Sequence, residues 1–280
     1  MNEQIKIYEA GAKRQTFVAL LTQMFKDLAN SHTLAKRLFI RDRNAEYRQS
    51  IFGLLWSVFT PLSNTLVWIF LSASGAVKID DTGLPYPVFV LIGTLLWAIF
   101  TESVNMPLLR TTGSRDLLTK VNFEKEAIIL SGIYKLIFNT LIKLGIIALL
   151  FVFFRISPGF QMVLAIPCIL LLMGFGMGIG LLLTPVGMLY KDISRIIPMI
   201  LSFAMYLTPV VYKTTKFKSL ESFLSLNPLT PIINSTRNLL TGGNFENIPY
   251  LLVIAFGTLV LVLIGWILFR ISIPIIVERM

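Results

Sequence analysis

The sequence holds a single cysteine, Cys168, and a single histidine, His32. One cysteine excludes an intrachain disulfide, and its apolar neighbours mark it as a packing residue. The lone histidine sits in a polar segment with no second histidine near it, so it reads as a surface side chain and no Cys/His metal cluster is present. The pattern G-x-x-x-x-G-K-S/T is missing, and with it any P-loop for ATP; H-E-x-x-H is missing too. Carboxylates do not recur at catalytic spacing, and they are nearly absent from the apolar segments. Glu102 is the exception there, which argues against a carrier coupled to cations through membrane carboxylates. Charged residues make up only 14% of the chain against 55% hydrophobic, which excludes a disordered protein.

What is present is a contrast. Residues 1–50 are basic and carry no long apolar run, whereas from Ile51 onward helix-length apolar segments alternate with short polar breaks. A soluble domain of 280 residues could not bury so much apolar surface in one core. A bilayer can receive it, and helices satisfy their own backbone hydrogen bonds there. The sequence therefore predicts an all-α polytopic membrane protein. It has two parts: a cytoplasmic and interfacial segment, 1–50, and a transmembrane domain, 51–280. The formal charge is +10, and nine of the 25 lysines and arginines fall in the first fifty positions. That placement points to lipid headgroups and not to nucleic acid. The first apolar run of spanning length begins near residue 51, so insertion is expected to use the first span itself as its signal.

Along residues 16–28, Phe17, Leu20, Leu21, Met24, Phe25 and Leu28 form one helical stripe, opposite Thr22, Gln23, Lys26 and Asp27. This is an amphipathic helix for a membrane interface or for a soluble partner. The run 36–48 is dense in both signs of charge and cannot enter hydrocarbon cheaply. Six spans follow, at about 51–74, 87–109, 127–153, 161–188, 194–212 and 249–270. Basic residues cluster before span 1, between spans 2 and 3, and between spans 4 and 5, which places both termini in the cytoplasm. The connection 212–248 runs against that rule with Lys213, Lys216, Lys218 and Arg237. Within it, 219–226 and 229–240 have helical patterns, separated by Asn227-Pro228 and stopped by Gly242-Gly243. Two short re-entrant external helices, or an ordinary external hairpin, fit this segment.

Four blocks carry a further likeness: GLLWSVFTPL (53–62), LLLTPVGMLYKDISRIIP (181–198), LTPVVY (207–212) and NPLTPIINSTRNLLTG (227–242). With the lead helix, in this order, they resemble the membrane subunit of ABC-2 type exporters and, more narrowly, the O-antigen polysaccharide permeases. The resemblance implies a non-enzymatic permease of the bacterial inner membrane that works as a homodimer. Two copies of a separate cytoplasmic ABC ATPase would drive it, so ATP and Mg would sit on that partner and this chain would bind no cofactor or metal. The cargo would be a polysaccharide on undecaprenyl diphosphate. Capsule, teichoic acid or a small hydrophobic compound are alternative cargoes. A membrane glycan polymerase or ligase is the alternative from another class, though no dense polar constellation supports it.

The same resemblance suggests roles for particular residues. Phe52, Trp56 and Phe59 of span 1 share one face, and Phe203 and Tyr206 lie in span 5. They would line the pore as weak stacking surfaces for pyranose rings, or else face lipid. A helix near 112–121 would couple to the ATPase, with Arg110, Arg115 and Asp116, and with Tyr190, Lys191, Asp192 and Arg195 in the next break. Simple charge anchoring is the alternative there. Asn227, Pro228, Asn234 and Arg237 would belong to an external gate. Lys135, Asn139 and Lys143 form a polar stripe on span 3 at spacing i, i+4, i+8. At comparable depth, Glu102 is expected to pair with Lys135. Snorkelling of Lys135, or its contact with the lipid diphosphate, are the other readings. Gly174, Gly176, Gly178 and Gly180 are expected to serve close helix packing.

Overall fold

The protein is described here by a computed structural model covering residues 17–48, 56–75, 83–121, 123–157, 159–212, 226–245 and 247–278. Among these residues there are helices and turns and no strand.

The lead segment folds as two helices. α1 (Phe17–Asn30) buries Met24 and sets Phe25 edge-on against Trp266 at 5.3 Å. It ends at Ser31, whose hydroxyl donates to the Asp27 carbonyl at 2.7 Å. α2 (His32–Arg48) takes up the charge-dense run. Strong helix formers fill it, and Ala35 and Leu38 supply a narrow buried seam at i, i+3.

α3 (Trp56–Ala73) follows. Four helices are long and apolar enough to cross a bilayer: α4 (Tyr86–Gly113), α6 (Glu126–Phe154), α7 (Ala165–Leu189) with the 3-10 turn Phe160–Leu164 before it, and α10 (Ile248–Glu278). Between α4 and α6 lies the one-and-a-half-turn α5 (Arg115–Lys120), anchored by buried Leu118. α4 carries apolar residues around its whole circumference and is buried on most sides, at the centre of the bundle. α6 and α10 instead keep an outward apolar face, including Phe153 at 81% and Phe256 at 70% exposure. Lipid is the solvent that such a face requires.

The expected fifth span is shorter than read. α8 (Ile193–Ala204) has 12 residues, about 18 Å of helix against a hydrocarbon core of about 30 Å. Residues 205–212 continue in tight turns, with Tyr206 N–H to Phe203 O at 3.0 Å and Val210 N–H to Thr208 O at 2.7 Å. Pro209 keeps a helix from continuing through this stretch, because a proline disfavours helical backbone in the residue before it. α9 (Leu229–Leu240) is a single helix buried on almost all sides, against α4, α7 and the 160–164 turn. Of the other expected external helix, residues 219–225 lie outside the described residues. The Asn227 side chain accepts from Leu229 N–H at 3.0 Å, closing a turn just ahead of α9. At the far end Gly242, with φ +87°, turns the chain, and Gly243 N–H closes onto Asn238 O at 2.7 Å.

The glycines of α7 serve two neighbours within the chain. A Cβ on Gly176 or Gly180 would lie 2.9 Å from the Phe100 carbonyl oxygen or 2.3 Å from that of Val104, both in α4. A Cβ on Gly178 would lie 2.9 Å from Leu261 of α10, and on Gly265 of α10 it would lie 2.9 Å from Leu181. Backbone contact this close needs residues without side chains.

Candidate functional site

The residue numbers of α4 and α7 rise together along their contact, so the two helices run parallel and their C-termini share one end of the bundle. α5 and the 190–192 turn therefore lie at that end. α2 joins them there, because the Arg110 guanidinium in the last turn of α4 reaches Asp42 at 2.5 Å.

Between α3, α4, α6 and α8 opens a cleft of about 730 Å³. α3 contributes Pro61, Asn64 and Trp68, spaced i, i+3, i+7 on one face. α4 contributes Trp97, Thr101, Glu102 and Asn105; α6 contributes Lys135, Asn139 and Lys143; the end of α8 and the turn after it contribute Ser202 and Tyr206. The Trp68 and Tyr206 rings stand 6.2 Å apart and form an aromatic wall. A buried contact between the hydroxyls of Thr65 and Thr94, at 3.2 Å, holds α3 against α4 beside it.

The polar stripe of α6 meets this cleft, but its pairing corrects the expectation. Glu102 bonds to Lys143 at 2.7 Å and accepts from the Asn139 amide; Lys135 pairs with Glu46 of α2 at 2.5 Å. The cause is the lean of the side chains. Measured from the α5 end, the Glu102 and Lys135 backbones are about 16 and 14 Å along their helices, and Lys143 about 26 Å. Helical side chains tilt toward their own N-terminus. In these antiparallel helices Glu102 therefore leans away from the α5 end and Lys143 leans toward it, so the two meet. Lys135 leans away from Glu102 and finds α2. The Lys143–Glu102 pair is charge-neutral, with Lys143 buried and Glu102 half-buried at the cleft wall.

The aromatic candidates divide. Tyr206 lines the cleft, while Phe59 and Phe203 are exposed and outside its lining. Trp56 opens α3, and Phe52 lies outside the described residues. At the α5 end, Arg115, Asp116, Tyr190, Lys191, Asp192 and Arg195 are all exposed. Arg110 is not among them: it is turned inward and held by Asp42. At the opposite end, Asn227 bonds to Thr208 at 3.0 Å, Pro228 immediately precedes α9 and Asn234 is half-buried. Arg237 is 3% exposed, donates to the Val210 carbonyl at 2.6 Å and lies 3.7 Å from the Phe89 ring. It sits in a packed joint and not on an open mouth.

Sequence reasoning missed Asn64, Trp68 and Trp97 in the cleft. The polar Asn64 one turn from Trp68 within an apolar run was the available signal. It also missed the joint where Arg270 of α10 bonds Asp27 of α1 at 2.5 Å and Glu126 of α6. No group of three or more potential metal ligands occurs among the described residues.

Comparison with known proteins agrees with this architecture. The chain is 26% identical to the O-antigen export system permease protein RfbA of Myxococcus xanthus, over 77% of its own length and 83% of that protein. It is 24% identical to a permease of the same name from Klebsiella pneumoniae, over 82% and 88%. It is also 24% identical to the polysialic acid transport protein KpsM of Escherichia coli, over 83% and 91%. The sequence profile of the ABC-2 type transporter family matches residues 33–241, which run from α2 through the cleft helices to the end of α9. With well over half of its length so matched, this integral membrane chain belongs to the ABC-2 type transporter family.

Proposed function

We propose that this chain is the permease subunit of an ATP-driven exporter that moves a polysaccharide, attached to undecaprenyl diphosphate, across the bacterial inner membrane. The observation that carries the reading is the cleft. An aromatic wall of Trp68 and Tyr206 faces amides and hydroxyls from Asn64, Asn105, Asn139 and Ser202. Rings cover the apolar C–H face of a pyranose, and amides and hydroxyls exchange hydrogen bonds with its rim. A sliding polymer needs many such weak contacts and no tight one. The relatives named for O-antigen export and polysialic acid transport support a glycan cargo.

Two copies of the chain would enclose the path, and two copies of a cytoplasmic ABC ATPase would power it. The α5 end would face the cytoplasm with both termini, so that Arg115 and Asp116 of α5 and the 190–195 turn meet the ATPase. α9 and Asn227 would then lie at the outer side. O-antigen is the cargo favoured here. A capsule-type glycan is the second reading, and the polysialic acid relative is the observation that favours it.

Deletion of the chain should abolish surface polysaccharide while lipid-linked polymer accumulates inside the cell. The sugars of that trapped polymer identify the cargo. Loss of polymer synthesis itself, with nothing accumulating, would point to a glycan polymerase and overturn the export reading.

A further inference from the structure

A second groove, of about 490 Å³, lies between α2 and the face of α6 that points away from the cleft. On α2 it is lined by His32, Lys36, Phe39, Ile40 and Arg43, spaced i, i+4, i+7, i+8, i+11 along one face. On α6 its floor is Tyr134, Ile137, Phe138 and Leu141. No carboxylate lines it. The acids nearby on α2 are engaged elsewhere: Asp42 with Arg41 at 2.7 Å and Arg110 at 2.5 Å, Glu46 with Lys135 at 2.5 Å. The groove thus joins a strip of basic groups to an apolar trough, and several trough residues, such as Leu141 at 61%, are exposed. The Arg43 guanidinium is steadied between the Phe39 and Phe138 rings, 5.6 and 5.7 Å from their centres.

Depth matches this chemistry. Tyr134 is about 12 Å and Leu141 about 22 Å along α6 from its α5 end. A helix of 29 residues, about 43 Å, exceeds a hydrocarbon core of about 30 Å, so Tyr134 falls near the edge of the hydrocarbon and the floor runs from there to Leu141 in the acyl region.

We propose that this groove binds one anionic phospholipid of the surrounding bilayer, its phosphate against Lys36 and Arg43 and an acyl chain along Ile137, Phe138 and Leu141. A membrane phospholipid fits better than the cargo's own lipid diphosphate, because the groove and the cleft share no lining residue and use opposite faces of α6. The inference stands apart from the identity of the cargo. Its role would be to fix α2 on α6, and through Asp42 and Arg110 to fix it on α4, only where the membrane supplies negative charge.

The test uses the full chain purified in neutral detergent, titrated with phosphatidylglycerol or phosphatidylcholine and read by native mass spectrometry. Phosphatidylglycerol should stay bound and phosphatidylcholine should not. At roughly fivefold for each basic group near a lipid surface, K36Q/R43Q should weaken phosphatidylglycerol binding about 30-fold. K36R/R43K should retain it. K26Q/R37Q removes the same charge from exposed positions off the groove and should bind as the parent does. L141W keeps every charge but fills the trough, and should also expel the lipid if K36Q/R43Q fails to fold. Equal retention of the two lipids, or an equal loss in K26Q/R37Q, would reduce the effect to general attraction and overturn the site. Unchanged binding in a folded K36Q/R43Q or in L141W would do the same. Displacement of phosphatidylglycerol by equimolar undecaprenyl diphosphate would assign the groove to the cargo instead.

Discussion

Two clusters of charge sit among the long helices, and they are built for opposite purposes. Arg270 bonds Asp27 and Glu126 and so fastens α10 to both α1 and α6; all three side chains are largely shielded. Lys143 bonds Glu102, and Asn139 joins them, on the wall of a 730 Å³ cleft. The first is a closed joint made with the planar, two-pronged guanidinium, which suits two carboxylates at once. The second uses a compact ammonium whose partner can be shared with whatever enters the cleft. A charge between helices is therefore read by what borders it: helix on every side makes a fastener, and open space on one side makes a lining.

Variants can break this contrast. The largest effect is expected at Arg270. Its replacement by Met leaves two carboxylates facing each other without a cation, and loss of one partner from a buried pair costs about 3–5 kcal/mol. Arg270→Met should sharply lower yield and the unfolding midpoint in detergent, and Arg270→Lys should recover only part. If Arg270→Met kept the parent midpoint, the joint would not hold the lead helix.

Gly93 comes next. A Cβ there would lie 2.1 Å from the Val210 carbonyl oxygen and 2.5 Å from Arg237. Gly93→Ala should cost about 1–3 kcal/mol as overpacking. Gly145→Ala, where a Cβ would meet nothing within 4 Å, should be neutral or slightly stabilising in the same unfolding assay.

Lys143→Met should cost less than Arg270→Met, about 1–2 kcal/mol, because Glu102 keeps access to the cleft. The double change Lys143→Met with Glu102→Gln should restore stability yet still lower export, since the cleft wall loses this charged pair. Export at the parent rate in that double variant would demote the pair to scaffolding.

The smallest effect on stability is expected at Tyr206, which is 58% exposed. Tyr206→Ala should leave the fold intact and lower export, measured as surface polysaccharide against trapped polymer, while Tyr206→Phe should be mild. Trp68→Ala should act in the same direction with some loss of packing.

Much of the architecture could be read from local pattern. The four long helices follow from apolar runs, α1 from its stripe, and both ends of α9 from Asn227-Pro228 and Gly242-Gly243. A local sign that α8 cannot run on is also present, in Thr208-Pro209, although apolar residues continue to Val211. What could not be read is what depends on distant partners. The charges of α2 look like a barrier to membrane entry until Asp42 meets Arg110 and Glu46 meets Lys135, 68 and 89 positions away. Asp27 meets Arg270 across 243 positions. The Glu102 pairing has another cause: backbone depth alone matches Glu102 to Lys135, and the direction of side-chain lean gives it to Lys143 instead.

The glycines of α7 have a mechanical consequence. Where backbones touch, a helix can neither roll nor slide without collision, so α4, α7 and α10 move as one stiff slab. Gly93 and Arg237 rivet α9 and the turn after α8 to its edge. α3 meets this slab through side chains, Thr65 on Thr94 and Trp68 beside Tyr206, which interlock less than touching backbones do. Any widening of the cleft is thereby directed to its α3 wall, the slab turning as a whole.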